Sequence, residues 1–465
     1  MNEKLKEFNR SLKTSKIAII GVGVSNIPLI EYLVNLKCNI TLFDKKNIES
    51  LGDDVKNIIS KYNIEGFFGD DYLENLIGFD IIFRSPSCLP TNEYIKKEID
   101  RGCVVTTEVE QVIRLAPCKV IGVTGSKGKT TTTTIIYNIL KSLGYSTYLG
   151  GNIGTPLFVE LDKMKNDDIV VLELSSFQLM DMKVSPSISV VTNISPDHLD
   201  VHSSYDEYIN AKKYIFSNQE KQDVLVLNHD DEIVKNFYCD AIGEVRYFGI
   251  FDKTEDWNKN SYVLNGRYIE YNDEKIIDTK KLLLKGVHNY LNVCAALNAI
   301  KDYIDVSNDV LESIIASIAG VAHRLEFVRE INGVEWYNDS SSTTPDKSIA
   351  GIQAFDSKVV LIAGGYDKNI SYESLAKPIL DNVSKLILFG DTKNKIYDAV
   401  MKLSRDSGVS IPIYVMDTLE EVIDVAYQVS VPGEVVLFSP ASASFDMFKN
   451  AYQRGDLFKE IVNKL

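Results

Sequence analysis

Three times along the chain, a short apolar run leads directly into a glycine turn or loop. These runs are Lys16–Ile20 before Gly21, Lys119–Val123 before the loop that starts at Thr124, and Val359–Ala363 before Gly364. Continuous apolar runs are typical of strands buried on both faces of a parallel sheet, and a glycine turn after such a strand commonly leads into a helix. The chain is therefore expected to fold into three units that each contain a mostly parallel sheet.

Further strand candidates follow in each segment, and helical patterns lie between many of them. They are Ile40–Phe43 and Asp80–Phe83 in the first segment, Ile169–Leu174, Ile188–Asn193 and Val224–Asn228 in the second, and Leu386–Phe389, Ile411–Met416 and Val435–Phe438 in the third. This alternation predicts an α/β protein of three domains, at residues 1–107, 108–322 and 323–465. The stretch Ile242–Leu284, with alternating tyrosines and short polar turns, is expected to be an antiparallel insertion in the second domain.

Composition narrows the functional classes. The chain has 465 residues and a formal net charge of −15, whereas broad binding to nucleic acid or membrane surfaces needs a basic face. Its six cysteines are scattered without a C-x-x-C pair, so neither a disulfide framework nor a zinc-thiolate site is expected, and a reducing cytoplasm fits. The apolar run Ile17–Val34 contains Gly, Asn, Pro and Glu, which favours a strand, a turn and a helix over a membrane segment.

The loop Thr124-Gly125-Ser126-Lys127-Gly128-Lys129-Thr130 lies between a predicted strand and a helix predicted for Thr130–Leu140. Glycines let backbone N–H groups turn toward phosphate oxygens, and the start of a helix adds partial positive charge. Lys129 can then reach the β- and γ-phosphates of a nucleotide, and the hydroxyl of Thr130 or Thr131 can bind Mg²⁺. The strict G-x-x-x-x-G-K-[ST] spacing fails because residue 123 is valine, but the strand, loop and helix context predicts an ATP site.

Four further side chains are candidates for a metal site. Glu173 ends an apolar run, and the carboxyl end of a strand in an open α/β sheet faces the ligand crevice, where a carboxylate suits Mg²⁺. His198 and His202 are four residues apart, so a zinc site is one interpretation, but no third ligand at zinc-protease spacing accompanies them and structural histidines are the other. Lys212 lies in an amphipathic helix predicted for Tyr208–Phe216, where a lysine ordinarily faces solvent.

The glycine turn of the first segment imitates a dinucleotide-binding fingerprint. Gly21 and Gly23 follow one predicted strand and Asp44 follows the next, but Asn26 stands where a third glycine is required. An NAD-dependent oxidoreductase is therefore the weakest alternative, because it leaves the phosphate loop without a role. A P-loop nucleotide switch or partner-binding module is a second alternative, and it predicts slow ATP hydrolysis that no amino acid affects.

Together these motifs resemble the Mur ligase family of bacterial wall synthesis. The matching residues occur in order through all three segments: Thr124–Thr130, Gly151–Gly154, Glu173–Leu179, Ser195–Leu199, His288, Asn289, Asn292, His323, Arg324, Asn338–Ser340, Ser439–Asn450 and Gln453–Gly455. The run Ser439–Asn450 is the most discriminating and is similar to the D-glutamate-adding branch of the family.

The resemblance implies a Rossmann-like domain for the UDP end of the substrate, a central P-loop ATPase-like domain, and a Rossmann-like domain for the amino acid. It implies a peptidoglycan precursor ligase that uses ATP to phosphorylate the terminal carboxylate of UDP-N-acetylmuramoyl-L-alanine, after which the amine of D-glutamate displaces phosphate. Two Mg²⁺ sites, with Mn²⁺ as an alternative ion, and a carbamylated Lys212 are implied as well. We further expect a cytoplasmic monomer that neither binds nucleic acid nor inserts into a membrane.

The resemblance also implies roles by position. Lys129 would bind phosphate, Thr130 and Glu173 would hold one Mg²⁺, and His198 and carbamylated Lys212 would hold a second metal ion. The other implied contacts are Thr124, Gly125, Ser126, Lys127, Gly128, Thr131, Asn289, Arg324 and Asp339 to ATP; Val24, Ser25, Asp44, Lys45, Asn152, Ser175 and Gln178 to the UDP substrate; and Lys368, Ser444 and Phe445 to D-glutamate.

One position departs from the family pattern. Ser341 stands where the family has a lysine that usually contacts the incoming amino acid. D-glutamate carries two carboxylates, and the loss of one cation from a buried site would be costly. Lys347, two residues after Pro345, is our candidate for the missing charge, since Pro345 suits the first position of a new helix. A related ligase with a different amino-acid preference is the alternative.

Overall fold

The computed structural model of the chain describes residues 2–23 and 25–465, so Val24, expected at the UDP substrate, lies outside the described residues. The chain divides into two compact units. The first comprises the described residues up to Asn265 together with Glu270–Glu274 and Leu291–Val306, and the second comprises Gly266–Ile269, Lys275–Tyr290 and Ser307–Leu465. The domain boundaries at 107 and 322 stay predictions.

The first unit begins with a five-stranded parallel sheet in the order β3-β2-β1-β4-β5. Its strands are β1 (Lys16–Ile20), β2 (Asn39–Asp44), β3 (Glu65–Phe68), β4 (Ile81–Arg84) and β5 (Val104–Thr106). The helices around it are α1 (Glu3–Thr14), α2 (Ile27–Asn35), α3 (Asp53–Tyr62), α4 (Glu93–Asp100) and α5 (Glu108–Leu115). Ile17 and Ile19 of β1 enter one core while Ala18 and Ile20 enter another, which explains the unbroken apolar run.

A six-stranded parallel sheet follows in the same unit, in the order β11-β10-β9-β6-β8-β7. Its strands are β6 (Lys119–Thr124), β7 (Thr147–Gly151), β8 (Ile169–Glu173), β9 (Ile188–Val191), β10 (Val224–Asn228) and β11 (Glu244–Phe248), and the helices between them are α6 (Lys129–Ser142), α7 (Ser176–Leu179) and α8 (Tyr205–Lys213). Because β6 lies between β8 and β9, the loops that follow these three strands meet at the carboxyl edge of the sheet.

The prediction of an insertion at Ile242–Leu284 is wrong for its first strand. β11 pairs in parallel with β10 and belongs to the main sheet. As the edge strand it alternates between buried and partly exposed residues, which imitates a separate antiparallel strand. A small three-stranded sheet follows, formed in order by β12 (Tyr262–Asn265), β13 (Tyr268–Tyr271) and β14 (Glu274–Asp278). Asn272 and Asp273, which join β13 to β14, have φ values of 50° and 65°, as in a type I′ hairpin turn between antiparallel strands.

The second unit contains a six-stranded mixed sheet in the order β15-β16-β20-β17-β18-β19, in which only β15 and β16 pair antiparallel. Its strands are β15 (Glu326–Ile331), β16 (Val334–Asn338), β17 (Val359–Gly364), β18 (Val383–Phe389), β19 (Ile413–Val415) and β20 (Val435–Phe438). The helices of this unit are α10 (Asn308–Ala316), α11 (Pro345–Ile352), α12 (Glu373–Asn382), α13 (Lys393–Ser407), α14 (Leu419–Val429) and α15 (Ala451–Val462). The helix before them is α9 (Val287–Ile300), and its residues from Leu291 onward belong to the first unit. Alternate residues of β17 enter different cores, so helices cover both faces of this sheet too.

In the described part of the chain, no helix has the length and apolar character needed to cross a membrane. The six cysteines are all free thiols.

Candidate active site

The phosphate loop has the strand, turn and helix geometry that its sequence predicts. Gly125 adopts φ +145° and Gly128 adopts φ +83°, both in the region that favours glycine. A Cβ on Gly125 would collide with Thr192 Oγ1, and a Cβ on Gly128 would collide with the side-chain oxygen of Asn292. Both glycines are therefore required by the backbone conformation and by the close approach of neighbouring residues.

Asn193, which follows β9, holds the first half of this loop. Ser126 N donates to Asn193 O (2.8 Å), Lys127 N donates to Asn193 Oδ1 (2.9 Å), and Asn193 Nδ2 donates to Lys127 O (2.8 Å). The first hydrogen bond of α6 runs from Thr132 N to Gly128 O (2.9 Å), so the amides of the turn before it have no helical carbonyl to reach. The amides of Ser126 and Lys127 are therefore already bonded to Asn193, and sequence reasoning missed Asn193 as a residue that shapes the loop.

Two lysine ammonium groups meet at one carbonyl of the loop. Lys129 Nζ donates to Gly125 O (2.9 Å) and Ser126 O (3.0 Å), and Lys212 Nζ donates to the same Gly125 O (2.8 Å). Lys212 lies on α8, which spans Tyr205–Lys213 and ends before the predicted limit. Its side chain is 1 % exposed and its Nζ lies 4.6 Å from the centroid of the Tyr208 ring. The ordinary interpretation of a solvent-facing lysine is therefore wrong.

The electrostatic surroundings of Lys212 favour its neutral form. Burial, and then the positive charge of Lys129, lower the pKa of Lys212 from 10.5 to about 7, and Asp197 and Glu173 oppose this shift less strongly. Near neutral pH, Lys212 is therefore a neutral amine in a substantial fraction of the molecules. The neutral amine is the form that can react with CO₂.

Glu173, at the end of β8, is 1 % exposed. Its Oε1 accepts a hydrogen bond from Asn152 Nδ2 (2.8 Å), whereas its Oε2 is buried without a hydrogen-bond partner. A buried carboxylate oxygen without a partner is costly unless a cation compensates it, so this site fits a Mg²⁺ ion. Among residues 2–23 and 25–465, no three His, Cys, Asp or Glu side chains cluster as a metal site. The expected ligand set does not need such a cluster, because it also uses the Thr130 hydroxyl and a carbamate.

The two histidines lie in a loop before α8 and have different environments. His198 has φ +53°, a half-exposed side chain and an edge-to-face contact with Phe177 at 5.1 Å between ring centroids. His202 is 2 % exposed, its Nε2 is 3.0 Å from Ser176 Oγ, and its ring stacks on Phe177 at 5.4 Å. Burial lowers the pKa of His202. His202 is therefore a structural residue here, and His198 remains the histidine with access to a ligand.

Ser175 and Gln178, expected at the muramoyl-peptide end of the substrate, form the capping box of α7. Ser175 Oγ accepts from Gln178 N (3.3 Å), and Gln178 Oε1 accepts from Ser175 N (3.0 Å) and Ser175 Oγ (3.1 Å). These bonds satisfy amides at the start of the helix and set the direction of the segment. The oxygen atoms of both side chains are thus already used within the protein.

Asp44, expected near the uridine, also holds backbone. Its Oδ2 accepts from Val22 N (2.8 Å) and its Oδ1 accepts from Lys46 N (2.8 Å), so it fixes the glycine turn after β1. Ser25 and Lys45 are exposed beside this turn. The turn and the carboxylate of a dinucleotide-binding fingerprint are thus both present, but the Asp44 carboxylate accepts hydrogen bonds from the protein's own backbone.

In the second unit, the residues expected at ATP differ in exposure. Arg324 is exposed, and Asn289 is 5 % exposed with its Nδ2 donating to Lys285 O (2.8 Å). Asp339 is 2 % exposed and accepts from Leu325 N (3.2 Å) and Ser439 Oγ (2.7 Å). Burial raises the pKa of Asp339 from 3.8 to about 6. Asp339 therefore joins two loops of this unit rather than facing outward.

Arg454 organises the loops around the residues expected at D-glutamate. This side chain is completely buried and donates to Ser340 Oγ (3.0 Å), Ser340 O (2.9 Å), Ser442 O (3.0 Å) and Ala443 O (2.8 Å). Sequence reasoning quoted Arg454 within a motif and gave it no role. The expected residues that follow are Ser444, which is buried, Phe445, which is 61 % exposed, and Lys347 and Lys368, which are exposed.

Family models and curated relatives both match this chain to Mur ligases. Two family models match the chain: "Mur ligase middle domain" over residues 123–300, and "Mur ligase, glutamate ligase domain" over residues 323–442. The UDP-N-acetylmuramoylalanine--D-glutamate ligases of Clostridium novyi and Clostridium kluyveri are each 45% identical to it over 465 residues, with 100% of both chains covered.

Among solved structures, the UDP-N-acetylmuramate-alanine ligase of Thermotoga maritima has a similar fold. The TM-score is 0.57 at 19% sequence identity, and the match covers 97% of this chain and 99% of that one.

Proposed function

Because the chain belongs to the Mur ligase family, with relatives 45% identical over its whole length, we propose that it joins D-glutamate to UDP-N-acetylmuramoyl-L-alanine in an ATP-dependent step of peptidoglycan precursor synthesis. One observation carries the proposal: the side chains of Lys129 and Lys212 both donate hydrogen bonds to the Gly125 carbonyl. The negative charge of Glu173 also interacts with Lys212. These groups suit the activation of a carboxylate by ATP.

The chemistry proceeds in two steps. A carboxylate oxygen of the substrate attacks the γ-phosphorus of ATP, ADP leaves, and an acyl phosphate forms. The D-glutamate amine then attacks the acyl carbon, phosphate leaves, and the nitrogen loses a proton to give the amide. A carboxylate is a poor electrophile until one oxygen becomes a phosphate leaving group, so the protein chiefly positions the reactants and neutralises charge. The Lys129 ammonium and the amides at the start of α6 supply that neutralisation at the phosphates.

We propose that Thr130 and Glu173 hold one Mg²⁺ and that His198 and a carbamate on Lys212 hold a second. When bound, the ions supply positive charge that reduces the repulsion between the substrate carboxylate and the triphosphate. The Lys212 amine adds to CO₂ with formation of an N–C bond and release of a proton, which replaces a cation by an anionic ligand. The low pKa of Lys212 and the buried, partnerless Glu173 Oε2 support this assignment.

The remaining substrate contacts are proposals by position. The turn near Ser25 and Lys45 receives the UDP diphosphate, Asn152 and α7 receive the muramoyl peptide, and Asn289 and Arg324 contact ATP. UDP-linked precursors and ATP are cytoplasmic metabolites, so we propose a cytoplasmic enzyme. Elution at the mass of a single chain in size-exclusion chromatography would support the proposed monomer, and elution at twice that mass would contradict it.

Incubation with a panel of amino acids tests the reaction. The full chain is given ATP, Mg²⁺ and UDP-N-acetylmuramoyl-L-alanine, and phosphate release is measured with D-glutamate, L-glutamate, D-aspartate and neutral amino acids. Release that depends on D-glutamate is expected. Release with no amino-acid dependence would favour the nucleotide switch, and dependence on a different amino acid would favour the altered preference that Ser341 raises.

Lys347 is the proposed source of the charge that Ser341 lacks. It is exposed in the first turn of α11, which begins at Pro345 as the sequence predicts. Lys347→Ala is expected to raise KM for D-glutamate about tenfold or more while leaving KM for ATP unchanged, because a lost charge-assisted hydrogen bond contributes roughly 1.5–3 kcal/mol. Lys377→Ala, which removes an exposed lysine paired with Asp381, is the matched control. An unchanged KM for D-glutamate in Lys347→Ala would exclude this role.

A further inference from the structure

Arg84, the last residue of β4, is a buried cation that none of the proposed roles uses. It is 4 % exposed, and its guanidinium donates to Cys88 O (3.4 Å), to Phe177 O twice (both 3.2 Å) and to Met180 O (2.8 Å). All these acceptors are main-chain carbonyls. A buried guanidinium is costly unless its donors are satisfied, so the arrangement commits the chain to a specific geometry at this point.

On one side, Arg84 is continuous with the glycine turn after β1. Arg84 pairs with Ile20 in the sheet, and Ser85 N donates to Ile20 O (2.8 Å). The Ser85 side chain occupies the space that a Cβ on Gly21 would need. The position of Arg84 is therefore fixed relative to the turn that is proposed to receive the UDP diphosphate.

On the other side, the guanidinium donates hydrogen bonds to main-chain carbonyls of the segment Ser175–Met180. Carbonyls at the end of a short helix have no helical donors, and Arg84 satisfies two of them. The same segment carries Gln178, and its Phe177 ring contacts His198 at 5.1 Å between ring centroids. This is the segment that is proposed to receive the muramoyl-peptide end of the same substrate.

We propose that Arg84 is a positioning residue that fixes the separation between the turn at Gly21 and the segment Ser175–Met180, so that one molecule with a nucleoside diphosphate at one end and a sugar-linked peptide acid at the other engages both together. The inference rests on the proposed function. The guanidinium suits this task because its donors form a rigid planar fork, whereas an ammonium group is a point donor on a flexible stem. Two linked binding groups gain affinity only while their sites keep the matching separation.

Equilibrium titration of the full chain with UDP alone and with UDP-N-acetylmuramoyl-L-alanine tests the inference. In Arg84→Met, the Kd for UDP is expected to stay within about twofold of wild type, while the Kd for the whole substrate rises about tenfold or more because the two ends no longer bind together. Arg84→Lys, which keeps the charge and loses the fork, is expected to show the same split with a smaller rise. If Arg84→Met does not fold, Arg84→Lys carries the test alone.

Arg246→Met is the matched control, because Arg246 is also 4 % exposed, lies in the same unit on the edge strand β11, and donates to a main-chain carbonyl, Asn298 O (3.0 Å). Neither Kd is expected to change in this variant. If Arg84→Lys raises the Kd for UDP and the Kd for the whole substrate equally, or changes neither, the inference is overturned while the proposed function stands. Wild-type protein that binds the whole substrate no more tightly than UDP would overturn the proposed function and the inference with it.

Discussion

Lys212 and Asp339 are ionisable groups that the fold removes from water, and burial favours the neutral form of each. It lowers the pKa of the Lys212 ammonium to about 7 and raises the pKa of the Asp339 carboxyl to about 6. In Lys212 this prepares a nucleophilic amine beside the phosphate loop. In Asp339 it couples the stability of the second unit to pH.

Lys212→Ala is expected to lower kcat about a hundredfold or more, because it removes the proposed carbamate ligand. Millimolar acetate should restore part of the activity, since alanine leaves space in which a small carboxylate can take the place of the carbamate. Lys213→Ala is the control, because Lys213 is the next residue and pairs with Asp240 at 2.7 Å. Full activity of the wild type in CO₂-free buffer, together with no rescue by acetate, would contradict the carbamate.

The stability of the second unit is expected to depend on Asp339. Its folded pKa of about 6 lies above the ordinary 3.8, so its contribution to stability is complete below pH 3.8 and is lost as pH rises through 6. Asp339→Asn cannot ionise, so its free energy of unfolding relative to wild type should rise by about 2 kcal/mol between pH 4 and pH 7.

Urea unfolding followed by tryptophan fluorescence measures this difference. Of the two tryptophans, Trp336 is fully buried in β16 and reports on the second unit, and Trp257→Phe removes the other signal. Asp346→Asn, at an exposed position on α11, is the control. If the difference in free energy of unfolding between wild type and Asp339→Asn stays constant from pH 4 to pH 7, Asp339 does not titrate as described.

At the scale of elements, the phosphate loop takes its shape from the loop after the neighbouring strand. Asn193 follows β9, which pairs with β6, and it engages the main chain of Ser126 and Lys127 from both its backbone and its side chain. A spacing pattern within residues 124–131 contains no information about this partner. The strand order does, because adjacent parallel strands deliver their loops to the same edge.

Asn193→Ala is expected to raise KM for ATP about tenfold, since two side-chain hydrogen bonds of roughly 0.5–1.5 kcal/mol each no longer hold the loop. The KM for D-glutamate should change little. Asn228→Ala is the matched control, because Asn228 Nδ2 donates to Thr192 O (2.8 Å) at the end of the adjacent strand without contacting the phosphate loop. An ATP KM that is equal in the two variants would exclude a specific role for Asn193.

At the scale of the whole molecule, the second unit contains a complete sheet with a core on each face. β15 to β20 all lie within residues 326–438, and α15 contributes Phe458 and Val462 to one of these cores. The chain segment predicted as the third domain, 323–465, therefore includes every strand of this sheet.

A fragment of residues 323–465 is expected to fold on its own, with a cooperative thermal transition and a blue-shifted emission from Trp336. A fragment that begins at residue 340 is the control, because it lacks β15 and β16 and leaves β20 as an edge strand that pairs only with β17. A fragment 323–465 that melts without cooperativity would contradict the predicted boundary.

The α/β class, the phosphate loop and the strand positions could be predicted because they depend on runs of adjacent residues. The comparisons confirm the family and the α/β class, while the individual substrate contacts stay predictions. The prediction failed for β11, whose alternation comes from its place at the sheet edge, and for the limits of α8. Exposure of an edge strand depends on which strands pair, and no local pattern contains that information.

Local sequence patterns were therefore enough to predict the kind of sheet, the glycine-bounded phosphate loop and the carboxylate at the end of β8, since each follows from residues that are close in the chain. Contacts between distant segments, by contrast, bury Lys212 against Gly125 and give Asp44 and Asp339 hydrogen-bond partners within the protein. Such contacts also let Arg84 join two segments that are 93 residues or more apart. These outcomes depend on desolvation and on hydrogen-bond partners that distant segments supply. Such partners exist only once the chain has folded.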